Sequence, residues 1–200
     1  MSALSKLCEE IALCRRCELY KYRTKAVPGE GPEDAEIMFV GEAPGWHEDQ
    51  QGRPFVGPAG QYLSQLLASI GLGRVQVYIT NVIKDRPPVN RDPLPAEIDA
   101  CRIWLERQIE LIRPKIVVTL GRYSMALFFP GKSISRIHGR AEKRDGVIYY
   151  AMYHPAAALH QQSLRRVIEA DMQKIPQLLA QVESMPQAKE EPPCQQLTMF

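Results

Sequence analysis

The chain has 200 residues, 45% of them apolar, which suits one globular domain with a full hydrophobic core. Its formal net charge of +2 argues against a protein that coats nucleic acid, and no apolar run reaches the roughly 20 residues that cross a bilayer. The opening "MSALSKLCEE" lacks the charged-then-apolar pattern of a signal peptide, so a cytoplasmic protein is expected.

In chain order, the first signal is "CRRC", which sets Cys14 and Cys17 at a spacing used by metal and iron–sulfur sites. The chain has five cysteines in all. In a reducing compartment this odd, scattered set reads as metal ligands or buried thiols, not as a disulfide framework. Next come an apolar strand, "EIMFVG" (36–41), and a helix whose apolar stripe runs through Leu63, Leu66, Leu67 and Ile70 to Gly71. A second strand, "VQVYITNV" (75–82), leads to a helix opened by Pro95, carrying Ile98, Cys101, Leu105, Ile109 and Ile112, and closed before Pro114. Strands "KIVVTLG" (115–121) and "VIYYAMYH" (147–154) follow. One helical run from Leu164 to Val182 completes a domain over residues 1–184. Alternation of strand and helix predicts an α/β fold, a sandwich with a four-stranded, largely parallel sheet between helices. Residues 185–200 are polar and proline-bearing and read as a disordered tail of net charge −1, which leaves the body at +3.

Open parallel sheets bind ligands beyond the carboxyl ends of their strands, because the loops open there while the sheet itself is solid core. The first strand runs into "GEAPGWHEDQQGRPFVG", with Glu42, Glu48 and Phe55. The second ends on Asn81 and enters "KDRPPVNRDP", with Lys84, Arg86 and Arg91 flanking. The fourth ends on His154 in "HPAAALH". Singly, each has a bland reading: glycine and proline make turns, and a lone histidine is more often structural than catalytic. Together, three strand ends offer an amide, an imidazole, a carboxylate and an aromatic ring, the groups that grip a planar polar ligand. No GxxxxGK[ST] or GxGxxG accompanies them, which disfavours a nucleotide cofactor.

"GEAPG", "GRPFVG", "YITNVIKDRPPVNR", "LGRYSM" and "YHPAAAL" resemble, in order and spacing over about residues 7–182, the family 4 uracil-DNA glycosylases, repair enzymes with a 4Fe-4S cluster. The resemblance implies a three-layer α/β/α sandwich with a four-stranded parallel sheet. It implies that Phe55 stacks on a flipped uracil, that Asn81 reads its O4 and N3, and that a neutral His154 donates to the developing charge on O2. Backbone groups of Gly41 and Glu42 would line the pocket. The position where a related family places a water-positioning aspartate is Ala43, which leaves Glu42 to orient the water; where that family blocks thymine with tyrosine stands Gly45, and Glu48 would take over the exclusion. Arg86, Arg91, Arg165 and Arg166 would meet phosphates and Leu159 would act as a wedge, against a bland reading of the arginines as solvated surface.

The resemblance also implies cluster ligands. Cys14, Cys17 and Cys101 match, but the third cysteine of the pattern is replaced in register by Asp85. Three readings stand open: a fourth iron held by the Asp85 carboxylate, which is the one adopted, a three-iron cluster, or a lost cluster with relic thiols. Gln196-Leu197-Thr198-Met199-Phe200 resembles the bacterial sliding-clamp-binding pentapeptide, against an incidental tail. The expectation is a monomeric, monofunctional glycosylase acting on uracil-containing DNA. The alternative of another class is a non-catalytic iron–sulfur or nucleic-acid-binding module of the same fold.

Overall fold

The computed structural model describes residues 1–183. The chain order is α1 (Ala3–Ala12), β1 (Ile37–Gly41), α2 (Trp46–Gln51), α3 (Pro58–Ser69), β2 (Tyr78–Asn81), α4 (Pro95–Ile112), β3 (Ile116–Leu120), α5 (Arg122–Phe128), α6 (Ile134–Ile137), β4 (Ala141–Arg144), β5 (Val147–Met152), α7 (Pro155–His160), α8 (Ser163–Met172) and α9 (Ile175–Glu183). The sheet order is β2-β1-β3-β5-β4. β2, β1, β3 and β5 run parallel, and β4 joins the edge antiparallel to β5.

The parallel strands read as continuous apolar runs because both their faces are covered. Ile37 and Phe39 of β1, with Ile116 and Val118 of β3, pack beneath α3, α8 and α9. Met38, Val40 and Val117 face the other way, onto α1 and α4. The three-layer α/β expectation holds, but the expected four-stranded sheet is one strand short: among the described residues four strands run parallel and a fifth is added where residues 141–147 fold back as a hairpin. Its turn is Asp145-Gly146, with φ +49° and +81°, the left-handed pair that a two-residue hairpin needs. β4 reads "AEKR" and is exposed along its length; a charged edge strand has no apolar alternation to betray it, and its charges discourage pairing with another chain.

Three boundaries moved. β5 stops at Met152, so His154 lies two residues beyond the strand, as the N-cap of α7. Residues 74–76 form a 3-10 turn rather than the start of β2. The C-terminal run is two helices, because Pro176 in an unbroken helix would set its ring against the Met172 carbonyl and supply no N–H, so α8 stops at Met172. The tail from 185 on, with the pentapeptide, lies outside the described residues.

Candidate active site

At the carboxyl ends of β1, β2 and β5 lies a cavity of about 530 Å³, lined among others by Glu42, Glu48, Phe55, Asn81, Asp92 and His154. The three strand ends singled out from sequence thus meet in one place. Asn81 closes β2 paired with Gly41 at the end of β1, and only 2% of its surface is exposed. A β-carbon on Gly41 would lie 2.3 Å from the Asn81 carboxamide oxygen and 2.6 Å from the Phe55 ring, so only glycine lets amide and ring come together here. That oxygen is buried and, among the described residues, the one side-chain N or O atom so buried that lacks a hydrogen-bond partner. An orphaned buried acceptor is costly and signals a donor that arrives with a ligand.

His154 caps the N-terminus of α7. Its Nδ1 accepts the Ala156 backbone N–H at 3.1 Å, so the neutral ring carries its proton on Nε2. Burial drives its pKa down to about 4, only weakly opposed by Glu48, so the ring is uncharged at neutral pH. Phe55 stacks beside it, with centroids 5.5 Å apart and planes inclined by 28°.

Phe55 itself has φ +52°, an unfavourable conformation for an aromatic residue, and two braces impose it. Arg74 donates to the Phe55 and Pro54 carbonyls at 2.9 and 2.7 Å and is anchored by Glu30. Glu48 accepts the backbone N–H groups of Val56 (2.9 Å), Gly57 (2.8 Å) and Gly45 (3.2 Å). Both Glu48 oxygens thus hold the loops that carry the ring. Sequence reasoning missed Arg74 and Glu30 altogether, since no local pattern ties them to Phe55, which lies 19 residues before the one and 25 after the other.

Glu42 is pushed up to about pH 7, first by burial, then by Asp92, with Arg122 opposing. Asp92 and Arg122 form an ion pair on the cavity rim. Lys84, expected beside the arginines as a flanking cation, is 1% exposed and lies inside. Its ammonium donates to Thr80 Oγ1 (2.7 Å), Gln108 Oε1 (2.7 Å) and the Asn81 carbonyl (2.6 Å), so it fixes the backbone that presents Asn81. Three acceptors make the burial of this cation tolerable, and burial pulls its pKa down to about 7.

Around the mouth, Arg86 donates to Asn90 Oδ1 at 2.7 Å, Arg91 is held by Glu97, and Arg165 pairs with Glu169 over the Tyr62 ring. Arg166 and Leu159 are exposed. A cleft beyond β5, unforeseen from sequence, gathers Lys132, Arg136 and Arg140 with Ser133 and Ser135. Its three cations are exposed and have no acidic partner among the described residues. The Gly139 N–H donates to the Ala151 carbonyl at 2.8 Å and the Ala151 N–H to the Arg140 carbonyl at 3.1 Å, so Arg140 of this cleft lies beside the last residues of β5, the strand that leads to His154.

The expected cluster ligands are arranged otherwise. The Cys17 and Cys101 thiols act on each other, which pulls the Cys17 thiol down to about 7 and pushes that of Cys101 well up. Cys14 accepts the Trp104 indole N–H at 3.3 Å. The Asp85 carboxylate does not face the thiols as a free donor: Arg23 Nη1 donates to both its oxygens, at 2.9 and 3.0 Å, while Arg23 Nη2 donates to the Ala12 carbonyl at 2.6 Å. Among the described residues no three His, Cys, Asp or Glu side chains group so as to hold a metal ion. A carboxylate already satisfied at both oxygens by a partly buried guanidinium is a poor fourth ligand, so this donor set does not fit a four-iron cluster closed by Asp85.

Residues 28–180 match the uracil DNA glycosylase superfamily. The chain is 50% identical over 188 residues to a type-4 uracil-DNA glycosylase of Sulfurisphaera tokodaii, covering 89% of this chain and 86% of that one. It is 48% identical to one of Archaeoglobus fulgidus, over 89% and 94% of the two chains, and 43% identical to one of Thermotoga maritima, over 83% and 89%. With fold, cavity and sequence in agreement, this chain belongs to the type-4 branch of the uracil DNA glycosylase superfamily.

Proposed function

We propose that the protein flips uracil out of DNA and hydrolyses its N-glycosidic bond, as a cytoplasmic monomer serving base excision repair. The orphaned Asn81 carboxamide oxygen carries the reading. It accepts the N3–H of uracil while the amide N–H₂ donates to O4; cytosine, with an acceptor at N3 and a donor at C4, meets the opposite pattern. Phe55 stacks on the base. As the bond to the sugar breaks, charge grows on O2, and the neutral His154 donates Nε2–H to it without first having to lose a proton. Glu42 orients the water that attacks the sugar carbon, and an oxocarbenium-like centre asks for positioning more than for a strong base. Glu48 acts by holding Gly45 and the Phe55 loop, which narrows the pocket where a thymine methyl would go. No step runs through a cluster. Uracil release from single- and double-stranded oligonucleotides tests the proposal, and a protein that binds such DNA without releasing base would be the non-catalytic module instead.

DNA follows the strand-end edge. Arg86, Arg165, Arg166 and the cleft of Lys132, Arg136 and Arg140 supply phosphate contacts, Arg91 joins if it leaves Glu97, and Leu159 fills the gap left by the flipped base. Two expected results follow from the site chemistry and from the tail. The rate of base release falls about tenfold per pH unit below about 7 as Glu42 takes up a proton, and this limb is absent in Glu42→Gln, while His154 stays neutral down to about pH 4. A single-turnover pH profile of both proteins checks it; an unchanged limb in the variant assigns the titration elsewhere. Deleting residues 196–200 abolishes binding to the bacterial sliding clamp and leaves excision from short oligonucleotides as it was, measurable by surface plasmon resonance beside the release assay. Equal clamp affinity after the deletion removes the motif from the account.

A further inference from the structure

The loop after β2 contains a residue that the free protein gives no reason to keep. Val89 has φ +55° and ψ +23°, the left-handed region that a β-branched residue adopts only under constraint, and the residue is 92% exposed. No burial compensates the strain, so it is not there for packing. The loop is nonetheless built to hold it: Pro87 and Pro88 precede it, the Asn90 N–H reaches the Pro87 carbonyl and the Arg91 N–H the Pro88 carbonyl, both at 3.1 Å, and Arg86 clamps the Asn90 side chain at 2.7 Å. Its neighbours Pro87 and Asn90 line the cavity from the β2 side. From the β5 side, Ala156 and His160 of α7 line it, and the same helix carries Leu159, 50% exposed. Two apolar tips, one rigidly strained, therefore stand on the two rims of one pocket.

We infer that Val89 is a second apolar probe, which packs against the base stack next to the extruded nucleotide in duplex DNA, on the rim across from Leu159. Strain kept at an exposed position is explained by a partner that buries the side chain only in the complex. The chemistry favours duplex DNA over another protein: the tip is a single aliphatic group beside Arg86 and Arg91, which suits the apolar face of a stacked base between two phosphate chains. The inference rests on the proposed reaction but fails separately from it, because single-stranded DNA has no base-paired stack to open.

The test is Val89→Gly, which removes the tip and suits the left-handed backbone, with Val89→Leu keeping an apolar tip. Expected for Val89→Gly is a melting temperature equal to or above that of the parent, excision from single-stranded oligonucleotides within twofold, and kcat/KM on duplex lowered about tenfold, the scale of burying one valine side chain. A 2-aminopurine placed beside the uracil should brighten less on binding, and Val89→Leu should retain the duplex rate. Equal duplex rates for Val89→Gly and the parent overturn the inference, and so does a loss that is the same on single and double strands. Failure of the parent to release uracil at all would instead overturn the proposed reaction.

Discussion

His154→Ala and Asn81→Ala each lower single-turnover uracil release by about 10²–10³-fold while the fold stays intact, the usual effect of removing one preorganised donor from a site where charge develops. The two losses have different origins. In the proposed reaction His154 acts mainly in the transition state: its Nδ1 is pinned by the Ala156 N–H and burial keeps it neutral, so Nε2–H would meet the charge on O2 as it grows. Its removal should show in the chemical step, with little change in DNA affinity. In the same proposal Asn81 acts on the base before and during bond breaking, so Asn81→Ala should lose affinity for the flipped base as well. Asn81→Asp replaces the donor half of the amide by a second acceptor, which turns the pocket toward the amino group of cytosine and narrows the preference for uracil. Rates within threefold of the parent for both alanine variants, in correctly folded protein, would remove the cavity from the reaction. An unaltered base preference in Asn81→Asp would remove Asn81 from recognition.

Arg23→Met destabilises the protein by about 3–5 kcal/mol, because it strands the Asp85 carboxylate in a site where only 4% of that side chain is exposed. For a domain of this size that corresponds to a fall in melting temperature of roughly 6–20 °C. Burial already holds Asp85 above the usual aspartate range, with the Arg23 guanidinium as the group that opposes the shift. Arg23 also binds the Ala12 carbonyl just past which Cys14 lies, so one guanidinium ties the end of α1 to the loop that leaves Asn81. The double replacement Arg23→Met with Asp85→Leu should recover most of the loss, since exchanging a whole buried pair for apolar groups is often neutral. Differential scanning calorimetry on the two variants decides it: a single replacement that melts with the parent would mean that the pair contributes nothing to holding this junction.

Much of this protein can be read in its residues alone. Strands covered on both faces must be apolar throughout, so "EIMFVG" and "KIVVTLG" announce themselves, and Pro95 and Pro114 bracket α4 because proline suits a helix start and cannot continue one. Parallel strands with crossover helices place their carboxyl ends on one edge, which is why Glu42, Asn81 and His154 converge as their positions in the chain foretell. Tertiary structure decided what depends on partners far along the chain. β4 exists because β5 offers its edge, and nothing in "AEKR" requires a strand. Lys84 looks like a surface cation until Gln108, 24 residues on, meets its ammonium inside the protein. Asp85 sits in register for a metal ligand, yet Arg23, 62 residues before it, takes both of its oxygens. Periodicity and turn chemistry are local, so sequence carries them. Which buried charge finds which partner is a long-range property, set only once packing has brought the two together and excluded water from between them.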